Sequence, residues 1–197
     1  MAEARRAKVL HRRSIVARLV ADRKDQVLAI AGLGNPCWDL MAAGDNALNF
    51  YNLGAMGSAA ALGLGLALAR PERRTLVITG DGELLMGLGT LATIGVEQPR
   101  NLTIAVFDNE AYGETGMQAT HTAYGIDLSA FARAAGFPRT ETIWTETEVE
   151  AGVRLAREGE GPVMVVFKIA PEKLGIVSPP RDGAYVKARF RQALLAQ

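Results

Sequence analysis

Cysteine is almost absent: Cys37 stands alone in 197 residues. That excludes an internal disulfide framework and any multi-cysteine zinc or iron–sulfur site built from this chain. Cys37 itself reads as a small, half-buried hydrophobe. An excess of either charge is also lacking. The formal net charge is +1, so there is no global electrostatic reason to expect nucleic acid or a membrane surface as a partner. No apolar run is long enough to span a bilayer. The longest, Ala55 to Ala69, falls short of about 20 residues and is dotted with glycine. Repeats, low-complexity linkers and a G-x-x-x-x-G-K-[ST] phosphate loop are missing as well. The basic stretch from Met1 to Lys24 could be taken for a transit peptide. Its apolar pairs Val9/Leu10, Ile15/Val16 and Leu19/Val20 instead make an amphipathic helix with a solvated basic face. The expected location is the cytoplasm.

What is present is an ordinary globular composition, 49% hydrophobic and 22% charged. Residues 1–197 read as one domain, with enough chain for a substantial core. Helix and strand patterns alternate. Helices are expected over Ala4–Ala21, Met56–Ala69, Leu84–Ile94, Asp127–Ala135, Glu148–Arg157 and Tyr185–Leu195. Strands are expected at Val27–Ala31, Thr75–Thr79, Leu102–Phe107, Thr140–Ile143 and Pro162–Ile169, with an extended connection over Leu174–Arg181. This order predicts a three-layer α/β fold, a parallel sheet with helices on both faces.

Two short segments each follow a strand: Gly80-Asp81-Gly82-Glu83 and Asp108-Asn109-Glu110-Ala111-Tyr112-Gly113. Both therefore sit at the carboxyl ends of parallel strands, where such sheets bind ligands. Asp81 offers a carboxylate and Asn109 an amide oxygen, donors that suit a hard cation such as Mg²⁺ completed by ligand phosphates. Gly80 and Gly82 would let backbone approach a bulky anion. The helix after them would aim N–H groups at a phosphate. Either segment alone is also ordinary turn and cap chemistry. The pairing at matched places on two strands is what argues for a site. A dinucleotide fingerprint at Gly32-Leu33-Gly34 fails. Cys37 stands at its third glycine position, Pro36 lies inside the turn, and no acidic residue follows at the ribose position.

The pair of segments resembles the diphosphate-binding motif of thiamine diphosphate enzymes. Asn52-Leu53-Gly54-Ala55-Met56-Gly57-Ser58-Ala59-Ala60 is similar to the family's segment beneath the thiazolium ring. The resemblance implies that Met56 props the cofactor into its bent form and that the Gly54 carbonyl accepts from the aminopyrimidine. It implies Asp81, Asn109 and the Ala111 carbonyl as metal ligands. It places the backbone around Gly82 and Glu83, and the turn at Tyr112-Gly113, against the diphosphate. Glu83 departs from the small hydroxyl residue common there, and its side chain should point away from the phosphates.

Such enzymes use two modules, and this chain carries signatures of the diphosphate module only. The resemblance therefore implies a β-type subunit, with a separate pyrimidine-binding α-type subunit supplying the catalytic glutamate. Gly80 to Ile94, and Asp108 to Gln118 with Thr120 following, look most like sulfopyruvate and phosphonopyruvate decarboxylases. The implied activity is non-oxidative decarboxylation of a small 2-oxo acid, a carbon–carbon lyase reaction in which the cofactor supplies the chemistry. Arg181, Lys187, Arg189 and Arg191 are candidates for an anionic substrate tail, and otherwise a solvated face. His121 could reach substrate or be a local structural histidine; His11 belongs on the N-terminal helix surface. Two alternatives stay open. One is a subunit of another thiamine enzyme, a 2-oxo acid oxidoreductase or acyloin-forming lyase. The other is a non-catalytic cofactor-binding or regulatory subunit.

Overall fold

A computed structural model describes residues 10–23 and 26–196. The sheet has six parallel strands: β1 (Val27–Ala31), β2 (Asn49–Tyr51), β3 (Arg74–Gly80), β4 (Leu102–Asp108), β7 (Arg139–Ile143) and β8 (Val163–Lys168). Their order is β2-β1-β3-β4-β8-β7. A two-stranded antiparallel ribbon, β5 (Ala111–Tyr112) and β6 (Gln118–Ala119), stands apart from it. The helices are α1 (Arg12–Val20), α2 (Asn35–Ala42), α3 (Ala59–Ala69), α4 (Asp81–Met86), α5 (Thr90–Glu97), α6 (Leu128–Ala134), α7 (Glu146–Glu158) and α8 (Gly183–Leu195).

The central strands are apolar on both faces because both faces are covered. Leu76, Ile78, Ala105, Phe107, Val165 and Phe167 pack with α1, α2 and α7. Their neighbours Val77, Ile104, Val106, Met164 and Val166 point the other way, onto α3 to α6. Period-two alternation thus serves two cores. The far edge is closed by α8, whose Phe190 meets Phe50 of β2 edge-to-face with centroids 5.6 Å apart. Caps fix several helix starts. Asp127 accepts from the Ala130 N–H, Asp182 from those of Ala184 and Tyr185, and Thr145 with Glu148 forms a capping box.

The three-layer parallel fold is the one expected, but several local readings change. The helix expected over Leu84–Ile94 is two helices, α4 and α5, with Gly87-Leu88-Gly89 between them. The run breaks where Gly87 packs against the Gly57 backbone too closely for a Cβ, and the first piece starts at Asp81 itself. The helix expected from Met56 starts at Ala59, because Gly57 at φ +83° holds the chain in a turn. Of the helix expected over Ala4–Ala21, residues 4–9 lie outside the described residues, and the rest is helical from Arg12. Helix α2, strand β2 and the β5–β6 ribbon were not expected. No helix among the described residues is long and apolar enough to cross a membrane.

Candidate active site

Strand order reverses direction at β1 and β3, the switch point where open α/β sheets bind ligands. A cavity lies there, walled by segments that follow β1, β3, β4 and β8. It brings together Met56, Gly80, Asp81, Gly82, Glu83, Asn109, Ala111, Tyr112 and Gly113 from separate stretches of sequence. Of the residues that the resemblance assigns to cofactor and metal, Gly54 is the exception. It is exposed on the loop beside Met56, outside the cavity wall.

Asp81 is buried at 1% exposure in the first turn of α4. The Thr120 hydroxyl donates to its Oδ2 at 2.5 Å. The Thr122 hydroxyl lies 3.2 Å from the same oxygen and 2.8 Å from Asp108 Oδ1, so it serves one carboxylate at a time. Burial, and next the Asp108 charge, push the Asp81 pKa up to about 6 despite those hydroxyls. Asp108 has its own counter-ion, Lys168, at 2.8 Å. Asp81 thus holds a buried negative charge that a cation would relieve.

Asn109 sits in a turn built by side chains. Its Oδ1 accepts from the Ala111 N–H at 3.0 Å, and Asp108 Oδ1 accepts from the Glu110 N–H at 3.0 Å. Glu110 takes a left-handed φ of +62°, and Lys168 also pairs with its carboxylate at 2.6 Å. This network fixes the loop before any ligand arrives. Among the described residues, no three His, Cys, Asp or Glu side chains form a metal-binding group. A cation here would rest on one carboxylate, the Asn109 amide, the Ala111 carbonyl and ligand phosphates. That donor set suits a hard ion that keeps part of its shell outside the protein.

Glu83 turns to the Met56 loop. One carboxylate oxygen accepts from the Ala59 N–H at 3.0 Å, at the start of α3, and the other accepts from the Thr79 hydroxyl. Burial raises its pKa, and backbone N–H groups at 57–59 oppose that rise. The carboxylate therefore caps a helix N-terminus. The loop is held from the other side by backbone contact, since a Cβ on Gly87 would fall 2.0 Å from the Gly57 carbonyl oxygen. Gly82 has a reason of its own in the packing. A Cβ there would lie 2.4 Å from the Tyr112 ring, so its missing side chain makes room for that ring. At Gly80 the space is open, with nothing closer than 3.9 Å.

Several candidates lie elsewhere. His121 is exposed at the start of a 3-10 turn, away from the cavity wall. Arg181, Lys187, Arg189 and Arg191 do not line the cavity; Arg189 pairs with Asp45 at 2.6 Å. His11 is exposed, as expected, and pairs with Glu172. Cys37 is fully buried rather than half-buried, because it stands on the face of α2 that packs against the sheet. It donates to the Gly32 carbonyl, and burial pushes its thiol up to about 12. The partners Thr122 and Lys168 were missed, as was Arg12, whose buried side chain reaches the cavity.

Residues 37–167 match the family model described as thiamine pyrophosphate enzyme, C-terminal TPP binding domain. The chain belongs to the thiamine pyrophosphate enzymes. It is 36% identical over 184 residues to the sulfopyruvate decarboxylase subunit beta of Methanocaldococcus jannaschii, covering 91% of this chain and 95% of that one. It is 42% identical over 175 residues to the sulfopyruvate decarboxylase of Methanosarcina acetivorans, and 37% over 175 to the phosphonopyruvate decarboxylase of Streptomyces viridochromogenes. Those alignments cover 89% and 88% of this chain but only 45% and 44% of the relatives. The chain thus spans nearly the whole of a β subunit and under half of two longer relatives. Thiamine diphosphate fits the cavity on its own evidence. One wall carries the buried carboxylate and oxygen donors a phosphate-bridging cation needs, and Met56 stands on the loop that Glu83 anchors.

Proposed function

We propose that this chain is the diphosphate-binding, β-type subunit of a thiamine diphosphate- and Mg²⁺-dependent 2-oxo acid decarboxylase acting on a sulfopyruvate- or phosphonopyruvate-like substrate. Residues 1–197 then form a single diphosphate-type domain, working in the cytoplasm. The observation that carries this reading is the joining of Asp81, Asn109, Ala111, Tyr112 and Met56 around one cavity. Bound there, the cofactor supplies the means of holding the electrons left when CO₂ departs. This chain's residues do the placing. Asp81, Asn109 and the Ala111 carbonyl would hold Mg²⁺, and Met56 would support the ring. The names and lengths of the relatives support the substrate class and the split design.

A pyrimidine-binding α-type subunit would complete the site and supply the catalytic glutamate. An exposed apolar surface supports this reading. Helix α3 is apolar all round, a pattern that belongs to buried helices. Yet Ala61, Leu62, Gly65, Leu68 and Ala69 form an exposed stripe, and Met86 and Val96 extend it on the neighbouring α4 and α5. Gly54–Ala69 and Leu84–Val96 contain no charged residue. An uncharged surface beside the cavity suits a module of similar size, such as the half that the two longer relatives have in addition.

The test is CO₂ release by the reconstituted pair from sulfopyruvate, phosphonopyruvate and pyruvate. The reading expects preference for one of the first two. Transfer of the two-carbon unit to an acceptor, or electron transfer, would point to another thiamine enzyme. A complex that binds cofactor without turnover would leave only a regulatory role. Met56→Ala should lower kcat about 10- to 100-fold while changing cofactor affinity about twofold or less, because geometry is lost and anchoring is kept. Met56→Leu should be milder, since it keeps most of the apolar bulk. Unchanged turnover in the alanine variant would make Met56 a packing residue only.

A further inference from the structure

We propose that Arg12 recognises the anionic tail of the 2-oxo acid, and that the Glu114 carboxylate holds that place in the substrate-free protein. The substrate class rests on the proposed function; the recognition residue does not follow from it. Arg12 lies ahead of the residues matched by the family model.

Leu10 pairs in parallel with Ile169, just past the carboxyl end of β8. That pairing delivers the first residue of α1 to the cavity edge. Among the described residues lining the cavity, Arg12 is the one cationic side chain, facing Asp39, Asp81, Glu83 and Glu114. It is buried at 2% exposure. One terminal nitrogen donates to Asp39 Oδ2, while the Arg13 Nε donates to the other oxygen of Asp39 at 3.1 Å. Two guanidinium groups thus share one carboxylate. Asp39 orients Arg12 without cancelling both guanidinium charges. A guanidinium has five N–H donors in a fixed fork, and its remaining donors match a sulfonate, phosphonate or carboxylate.

Glu114 marks where such a group fits. It follows Tyr112-Gly113 on an exposed turn. Its carboxylate lies against Gly34, where a Cβ would fall 2.7 Å from Oε1. Arg12 is close enough for its charge to act on that carboxylate and oppose the effect of burial. The turn is at the surface, so Glu114 can withdraw without disturbing the core. An incoming oxyanion would then meet the Arg12 guanidinium in its place.

The experiment is calorimetric titration of the full chain with 3-sulfopropionate, which carries the sulfonate tail but no keto group and cannot react. Arg12→Lys, checked for native circular dichroism, keeps the charge and loses the fork. It should weaken the probe about tenfold and change thiamine diphosphate affinity in Mg²⁺ less than about twofold. Glu114→Gln, on the exposed turn, removes the internal competitor and should tighten the probe about fivefold. The proposal is overturned by no probe binding to the wild type, by unchanged probe affinity in folded Arg12→Lys, or by a loss that falls on the cofactor instead. Should Arg12→Lys not fold, Glu114→Gln without tightening overturns it alone. Because the probe is unreactive, this pattern can hold even where decarboxylation is not the reaction, and the two failures stay separate.

Discussion

Asp81→Ala is expected to abolish Mg²⁺-dependent binding of thiamine diphosphate in the assembled enzyme. The carboxylate is the one ionisable donor among the proposed ligands; Asn109 and the Ala111 carbonyl are neutral. Without it the cation that bridges protein and diphosphate loses its charged anchor. A loss of at least about 100-fold, or about 2.8 kcal/mol, should appear in a calorimetric titration. The fold itself should not suffer. Asp81 is buried beside the Asp108 carboxylate, and its partners are two threonine hydroxyls. Removing that charge should leave the melting temperature of the cofactor-free protein unchanged or higher, which is the usual cost pattern of a functional charge. Asp81→Asn, which keeps an acceptor for Thr120, should behave alike in both measurements. Unchanged cofactor affinity in either variant would remove Asp81 from the metal site.

The second large effect concerns the partner. Leu62 and Leu68 are 38% and 49% exposed on α3. Leu62→Asp or Leu68→Asp should therefore cost the isolated fold little. Each would place a charge in the centre of the proposed interface, where an unpaired buried carboxylate costs several kcal/mol. Association measured by light scattering should weaken at least about 100-fold, and decarboxylation at working concentrations should vanish with it. Full activity in the double variant would move the interface elsewhere. A control on the opposite side, such as Arg154→Ala on α7, should leave pairing intact.

Much of this architecture was legible because it depends on local pattern. Strands β1, β3, β4 and β8 are β-branched or apolar runs bounded by glycine, proline or polar turns, and each was located to within a residue. The two segments that line the cavity after β3 and β4 follow directly from those strands. What escaped was set by tertiary context. Helix α2 hides behind Gly34 and Pro36, which read as a turn, although proline early in a helix is a start signal. Strand β2 has three residues, too few for a period. The single helix expected over Leu84–Ile94 gave way at Gly87, where contact with Gly57 demands a residue without Cβ.

At the site, Asp81 and Asn109 announce themselves by type and position. Their supports do not. Thr122, Lys168 and Arg12 are distant in sequence and ordinary in type, and only folding shows them beside Asp81, Asp108 and the cavity. Glu83 was legible in outline. Its departure from the family's small hydroxyl residue marked it, and its carboxylate accepts from the N–H of Ala59 while still lining the cavity. The basic residues near the C-terminus illustrate the opposite failure. Charge chemistry suggested them for an anionic tail, yet Arg189 is taken by Asp45 and none lines the cavity.

The central claim is that the site is divided, with this chain holding metal and diphosphate while the partner's glutamate drives removal of the thiazolium C2 proton. Exchange of that proton for deuterium in bound thiamine diphosphate, followed by quench and NMR, tests it most directly. With this chain and Mg²⁺ alone, exchange should proceed at about the rate of the free cofactor. Adding the pyrimidine-binding subunit should accelerate it by several orders of magnitude, on the scale that a positioned acid–base group contributes, roughly 10²–10⁴-fold. Fast exchange and full decarboxylation from a verified homogeneous preparation of this chain alone would contradict the account. A carboxylate of its own, such as Glu110 or Glu114, would then be doing the partner's work.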